Sequence, residues 1–170
     1  MQQTILALGA LMIIMITALN HQKSVIMIQE ISYIREIETA ALDVAKFRIE
    51  SILNDTGFDE TRLGETTLPT DASTLTSAAS FGQEPGETVR DDLDDYHNFT
   101  ETGVQHTIGD NTYRFDISYS VAYVNSTTGD TTSTQTFAKI IMADVVSNDT
   151  VGTRVARATW SKTTIVSDDL

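Results

Sequence analysis

The sequence predicts an α+β fold: a long N-terminal α-helix, apolar then amphipathic, packed on a C-terminal antiparallel β-meander of three or four strands. Three observations carry the prediction. Residues 1–53 contain no proline and a single glycine, Gly9. From residue 104 onward the apolar period changes from three and four to two. Between them, residues 54–103 are rich in Thr, Ser, Asp, Glu and Gly and hold both prolines, Pro69 and Pro85.

The helix divides at about residue 24. Ile5–Leu19 holds no charge, and after a polar step at Asn20-His21-Gln22-Lys23-Ser24 the apolar run resumes at Val25-Ile26-Met27-Ile28. Residues 25–53 are amphipathic. Ile31, Ile34, Ile37, Ala41, Val44, Ala45 and Ile52 recur at helical spacing, with Glu30, Arg35, Glu38, Asp43, Lys46 and Glu50 mostly off that face. A continuous helix of this length spans about 80 Å at 1.5 Å per residue. Its first third is insoluble if exposed, so it must lie in lipid or against copies of itself. Ile5, Leu6, Leu8, Leu11, Met12, Ile13, Ile14, Ile16 and Leu19 are the expected assembly residues. The polar step contains neither Gly nor Pro, and the helix is expected to run through it.

The apolar opening has three readings. A cleaved signal peptide begins with a basic region and ends at small residues, whereas no Lys or Arg precedes this run and no A-x-A follows it. A membrane anchor needs about 20 apolar residues, which Ile5–Leu19 reaches only with Val25–Ile28. The third reading is a processed N-terminus whose basic leader has been removed.

Asn54-Asp55-Thr56-Gly57 reads as a helix stop, with Asn and Gly suited to a left-handed cap. Residues 54–103 then form a polar surface connection, with a short helical turn near Ala72–Phe81. Residues 104–170 form the sheet, in one globular head with residues 25–53. A short strand, Val104–Ile108, turns through Gly109-Asp110-Asn111 into Thr112–Val124. There Tyr113, Phe115, Ile117, Tyr119, Val121 and Tyr123 alternate with polar residues. A hairpin loop at Asn125–Asp130 leads to Thr134–Val146, apolar on both faces at Ile140–Met142 and so central in the sheet. A polar turn over Ser147–Gly152 leads to the last strand, Arg154–Val166. Ala41, Val44, Ala45 and Ile52 are the expected cover for Phe115, Ile117 and Tyr119.

Charge narrows the function classes. There are 24 acids against 11 bases, a net charge of −13, which excludes a nucleic-acid binder because phosphate recognition requires Lys and Arg. There is no cysteine, hence neither a disulfide framework nor a thiolate metal site. His21, His97 and His106 stand in no metal spacing, and no phosphate loop or nucleophile elbow occurs, so the chain reads as no enzyme. Ca²⁺ is the one cofactor candidate. Asp91, Asp92, Asp94 and Asp95 offer hard oxygens, though without EF-hand spacing. The plainer reading is a solvated acidic loop or a helix-capping cluster. Four Asn-x-Ser/Thr sequons, at Asn54, Asn98, Asn125 and Asn148, fall in predicted loops where a glycan fits.

A helix apolar then amphipathic, a variable connection and an antiparallel meander resemble the type IV pilins and pseudopilins. The stretch Asp91-Asp92-Leu93-Asp94-Asp95-Tyr96 is similar to one seen in minor pilins of the mannose-sensitive haemagglutinin type. Ile5 stands where those pilins commonly have Glu, and Gln22 where they commonly have a helix-bending Pro. The resemblance implies a leader removed before Met1, methylation of the new amine and membrane insertion before assembly. It further implies handling by a pilus assembly machinery and a helical homopolymer at the cell surface. The expected function is therefore a structural filament subunit. A minor pilin or pseudopilin, or a single-pass membrane-anchored binding protein, is the alternative.

Overall fold

The computed structural model describes residues 2–59, 71–151 and 154–165. Packing divides the chain into two units, Met1–Glu36 and Ile37–Leu170. One helix, α1 (Gln2–Asp55), supplies the whole described part of the first unit and opens the second. It is continuous through Asn20–Ser24, as expected of a stretch without Gly or Pro.

In the second unit α1 meets a sheet of five antiparallel strands: β1 (Thr100–Ile108), β2 (Asn111–Val124), β3 (Thr131–Thr132), β4 (Ala138–Val151) and β5 (Arg154–Ile165). The order is β1-β2-β4-β5, with β3 paired to the last two residues of β2. β4 is thus flanked on both sides, as its doubly apolar sequence predicts. The core face of β2 is the expected one, and Tyr113, Phe115, Ile117, Tyr119, Val121 and Tyr123 are all buried. Ile37, Ala40, Ala41, Val44, Ala45, Ile49 and Ile52 of α1 join Phe115, Ile117, Tyr119, Ile141, Ala143 and Val145 in one buried cluster. Each large aliphatic side chain placed there contributes about 1.5–3 kcal/mol relative to exposure. Three alanines on this face of the helix keep its backbone close to the aromatic residues of β2.

Several boundaries differ from expectation, each for a local reason. The helix does not end on a left-handed Asn or Gly, since neither Asn54 nor Gly57 is among the described residues with positive φ. Instead the Thr56 hydroxyl donates to the Ile52 carbonyl at 2.8 Å, and the Gly57 N–H donates to the Asp91 carbonyl at 2.8 Å. A single parallel bridge, Gly57 to Asp92, draws the chain out of the helix. β1 begins at Thr100 rather than Val104 because a register irregularity between Glu101 and Val104 lets the strand continue. Gly103 there adopts φ +69° and donates its N–H to Asp116 Oδ1, a backbone state that favours glycine. Gly109, at φ +58°, opens the two-residue β1–β2 turn for the same reason.

β4 runs to Val151, so Ser147–Asn148–Asp149 lie in a strand rather than a turn, past an irregularity between Val146 and Thr150. At its other end, the segment from Thr134 to Phe137 precedes the strand instead of forming part of it. The connection over 54–103 is not a surface loop throughout. Leu75, Leu93, Asp59, Asp92, Asp94 and Asp95 are buried, and Phe81, Tyr96 and Phe99 pack against the core. Short 3-10 turns form at Ala72–Thr74 and Ala78–Ser80, inside the stretch expected to be helical, and at Asp94–Tyr96. Pro69, Gly152 and Val166 lie outside the described residues.

Candidate functional site: an exposed apolar helix and a buried lysine–carboxylate cluster

Two features stand out from an ordinary α+β domain, one in each unit. In the first unit, Leu6, Leu8, Leu11, Met12, Ile13, Ile14, Ile16 and Leu19 are 55–74% exposed. These are the assembly residues the sequence singles out; the side chain of Ile5 lies outside the described ones. Between Gln3 and Glu36, only Ile31 and Ile34 among the described side chains are even partly buried. The helix is long and apolar enough to cross a membrane, by length and composition. Two of its hydroxyls bond back to the helix: Thr17 donates to the Ile13 carbonyl at 2.8 Å, and Ser24 to the Asn20 carbonyl at 3.0 Å. A hydroxyl bonded one turn back imposes little cost on an apolar environment. A Cβ placed at Gly9 would meet nothing within 4 Å among the described residues beyond its own helix backbone.

The second feature is Lys139. It lies on β4 in phase with Ile141, Ala143 and Val145, so the alternation that buries those residues buries the lysine too; it is 0% exposed. Its Nζ donates to the Phe58 carbonyl at 2.7 Å, to Asp59 Oδ1 at 2.9 Å and to Asp94 Oδ1 at 2.8 Å. The rings of Phe58, Phe81 and Tyr123 lie 4.7, 5.2 and 5.4 Å from Nζ and enclose it. Asp59 is held by its other oxygen, which accepts from the Thr76 N–H at 3.0 Å. Asp94 differs, because its Oδ2 is buried and accepts no hydrogen bond. Burial pushes the Asp94 carboxyl up to about 7, with Lys139 pulling the other way. Burial also raises Asp92, helped by the charge of Asp95.

The four aspartates do not converge in one group. Asp92 and Asp94 join Asp59, with carboxylate oxygens within 4.8 Å of one another, but the cation on Asp59 and Asp94 is the lysine ammonium. Asp95 turns to Glu84 and Glu87, forming a second group of three carboxylates within 4.8 Å. There Glu84 is pushed up to about 8 by its hydrogen bond to Glu87, which is correspondingly lowered, so the pair shares one proton. Asp91 contributes its carbonyl to Gly57. The solvated-loop reading does not hold, since Asp92, Asp94 and Asp95 are 1–3% exposed. Short-range sequence reading missed Lys139 and Asp59. The signal was available in the strand, because a lysine in core phase requires buried carboxylates to meet it.

The four sequon asparagines are exposed, although Asn54 lies in the last turn of α1 rather than in a loop. Asn98 adopts φ +62°. Asn125 caps its own hairpin by accepting from the N–H groups of Thr127 and Thr128. Asn148 donates to Asp116 Oδ2 at 3.1 Å, a bond a glycan there would disturb. His97 is a core-edge residue whose Nδ1 accepts from the Val121 N–H at 3.2 Å, while its ring meets Phe81 edge-on. Trp160 is only partly buried against the core.

No protein-family model, no curated protein and no solved structure matches this chain. Its function must therefore be argued from these two features.

Proposed function

We propose that the chain is a structural subunit of an extracellular filament, polymerising through its apolar N-terminal helix while the acidic sheet-bearing unit faces solvent. The observation that carries this reading is the exposed apolar helix. Nine large side chains from Leu6 to Leu19, Met15 among them, are 55–74% exposed among the described residues. Burying them at about 1.5–3 kcal/mol each is ample to hold a non-covalent polymer. Gly9 supports helix-on-helix contact. A mid-helix glycine costs about 1 kcal/mol against alanine, and close approach by a neighbouring helix is the usual return. Repeating one heterologous contact by a screw operation gives an open fibre. Before assembly the same helix rests in the membrane, for which its length and composition suffice.

Negative-stain microscopy of material sheared from cells tests the proposal. Fibres composed of this chain are expected, and Leu11→Asp should abolish them while the sheet unit stays folded, because a carboxylate in that seam has no partner. Chain found only in the membrane fraction, or normal fibres from Leu11→Asp, would refute it and favour a single-pass anchored protein.

A further inference from the structure

We propose that Lys139 and Asp94 become joined by an intramolecular amide bond, Nζ to Cγ, so that the mature chain carries a covalent tie between β4 and the connection that follows α1. The inference stands independently of the filament reading. It begins from geometry: Nζ already lies 2.8 Å from Asp94 Oδ1, with Lys139 0% and Asp94 1% exposed. Three aromatic rings wall the pair off from solvent.

Two acids touch the amine, and their surroundings distinguish them. The second oxygen of Asp59 already accepts from the Thr76 N–H. Asp94 instead has a buried oxygen without a hydrogen-bond partner, and its burial favours the neutral acid. A neutral carboxylic acid is the electrophile that amide formation needs, and a neutral amine is the nucleophile. The ion pair and this neutral pair differ only by a proton moved along their 2.8 Å hydrogen bond. In a dry site the neutral pair gains on the charged one.

The step balances without an oxidant, reductant or activating group. The Nζ lone pair attacks Asp94 Cγ, and the Nζ–Cγ bond forms. Nζ gives up a proton, the hydroxyl of Asp94 receives one, and the Cγ–O bond breaks to release water. Asp92, whose carboxylate lies within 4.8 Å of that of Asp94 in the same cluster, is placed to relay that proton. The remaining amide N–H then has Phe58 O and Asp59 Oδ1 to donate to, both already in place. The product removes two charges from the core. In a chain without cysteine it supplies the cross-link that a disulfide provides elsewhere.

Mass spectrometry of the denatured full-length chain, extracted in detergent and digested with trypsin, decides the matter. The expected result is a branched product in which 91–114 is joined to 115–154, uncleaved at Lys139 and lighter than the two parts by one water. Asp94→Ala and Lys139→Met should each yield unjoined peptides, and Asp92→Asn should slow joining. Mass does not depend on whether a variant folds well, so the wild-type reading is decisive alone. Separate 91–114 and a free, cleavable Lys139 in the wild type would overturn the proposal, leaving a buried ion pair. A branch mapped to Asp59 would overturn the choice of acid. Joining at an unchanged rate in Asp92→Asn would overturn the relay.

Discussion

Ile49 and Phe47 lie two residues apart on α1 and test how the helix is seated. Ile49 is fully buried in the helix–sheet cluster, whereas Phe47, the larger residue, is 68% exposed. Ile49→Ala removes three carbons from a site walled by sheet and helix. Truncations of this kind cost about 2–5 kcal/mol, the spread reflecting how far the site can collapse. Collapse is limited here by the neighbouring Ala45 and by the rigid sheet, so about 3 kcal/mol is expected. In a folded unit of this size each kcal/mol moves Tm by about 3–5 °C, giving a fall of about 10 °C. Phe47→Ala should stay within about 0.5 kcal/mol, as for an ordinary surface position. The assay is a thermal melt of the full chain in detergent, followed by near-ultraviolet circular dichroism. That signal comes mainly from the buried Tyr113, Tyr119 and Tyr123 of β2, and the first unit adds only the exposed Tyr33. Equal losses for the two variants, or a negligible loss for Ile49→Ala, would show that the helix presents a different face to the sheet.

Two further outcomes are expected. Glu84 is raised from its ordinary 4.5 to about 8 by Glu87, so its stabilising protonation is complete below the ordinary value and is lost as pH climbs through about 8. Tm should therefore fall as pH rises over that window, and Glu84→Gln should flatten the fall; parallel profiles in melts at several pH values would refute the shared proton. Arg157 forms an exposed bidentate pair with Asp144, whose carboxylate also accepts from Thr159. Despite its good geometry, Arg157→Ala should cost no more than about 1 kcal/mol in a denaturant titration, and less in high salt.

The sequence by itself determined the elements and their faces. The absence of proline and the spacing of Ile37, Ala41, Val44, Ala45 and Ile52 specify a helix and its buried side. Strict alternation from Tyr113 to Tyr123 specifies a strand and its buried side. Both are local periodicities, set by the geometry of one turn or one pleat, and need no knowledge of distant residues. The apolar stretch was legible too, because Ile5–Leu19 is a run without charge read directly from the residues.

Tertiary structure alone decided where the acids go. Asp59, Asp92 and Asp94 read as solvated because a carboxylate has no local partner in a Thr- and Asp-rich connection. Their partner is Lys139, 45 residues beyond Asp94 and 80 beyond Asp59. Only the register of β2 against β4, which sets Lys139 opposite Tyr123, brings the amine to the end of the sheet where the connection crosses. Buried there, the lysine and its carboxylates must meet one another, because charge in low dielectric has to be paired. Residue-by-residue reading assigns Lys and Asp to water, and the sheet register overrules it.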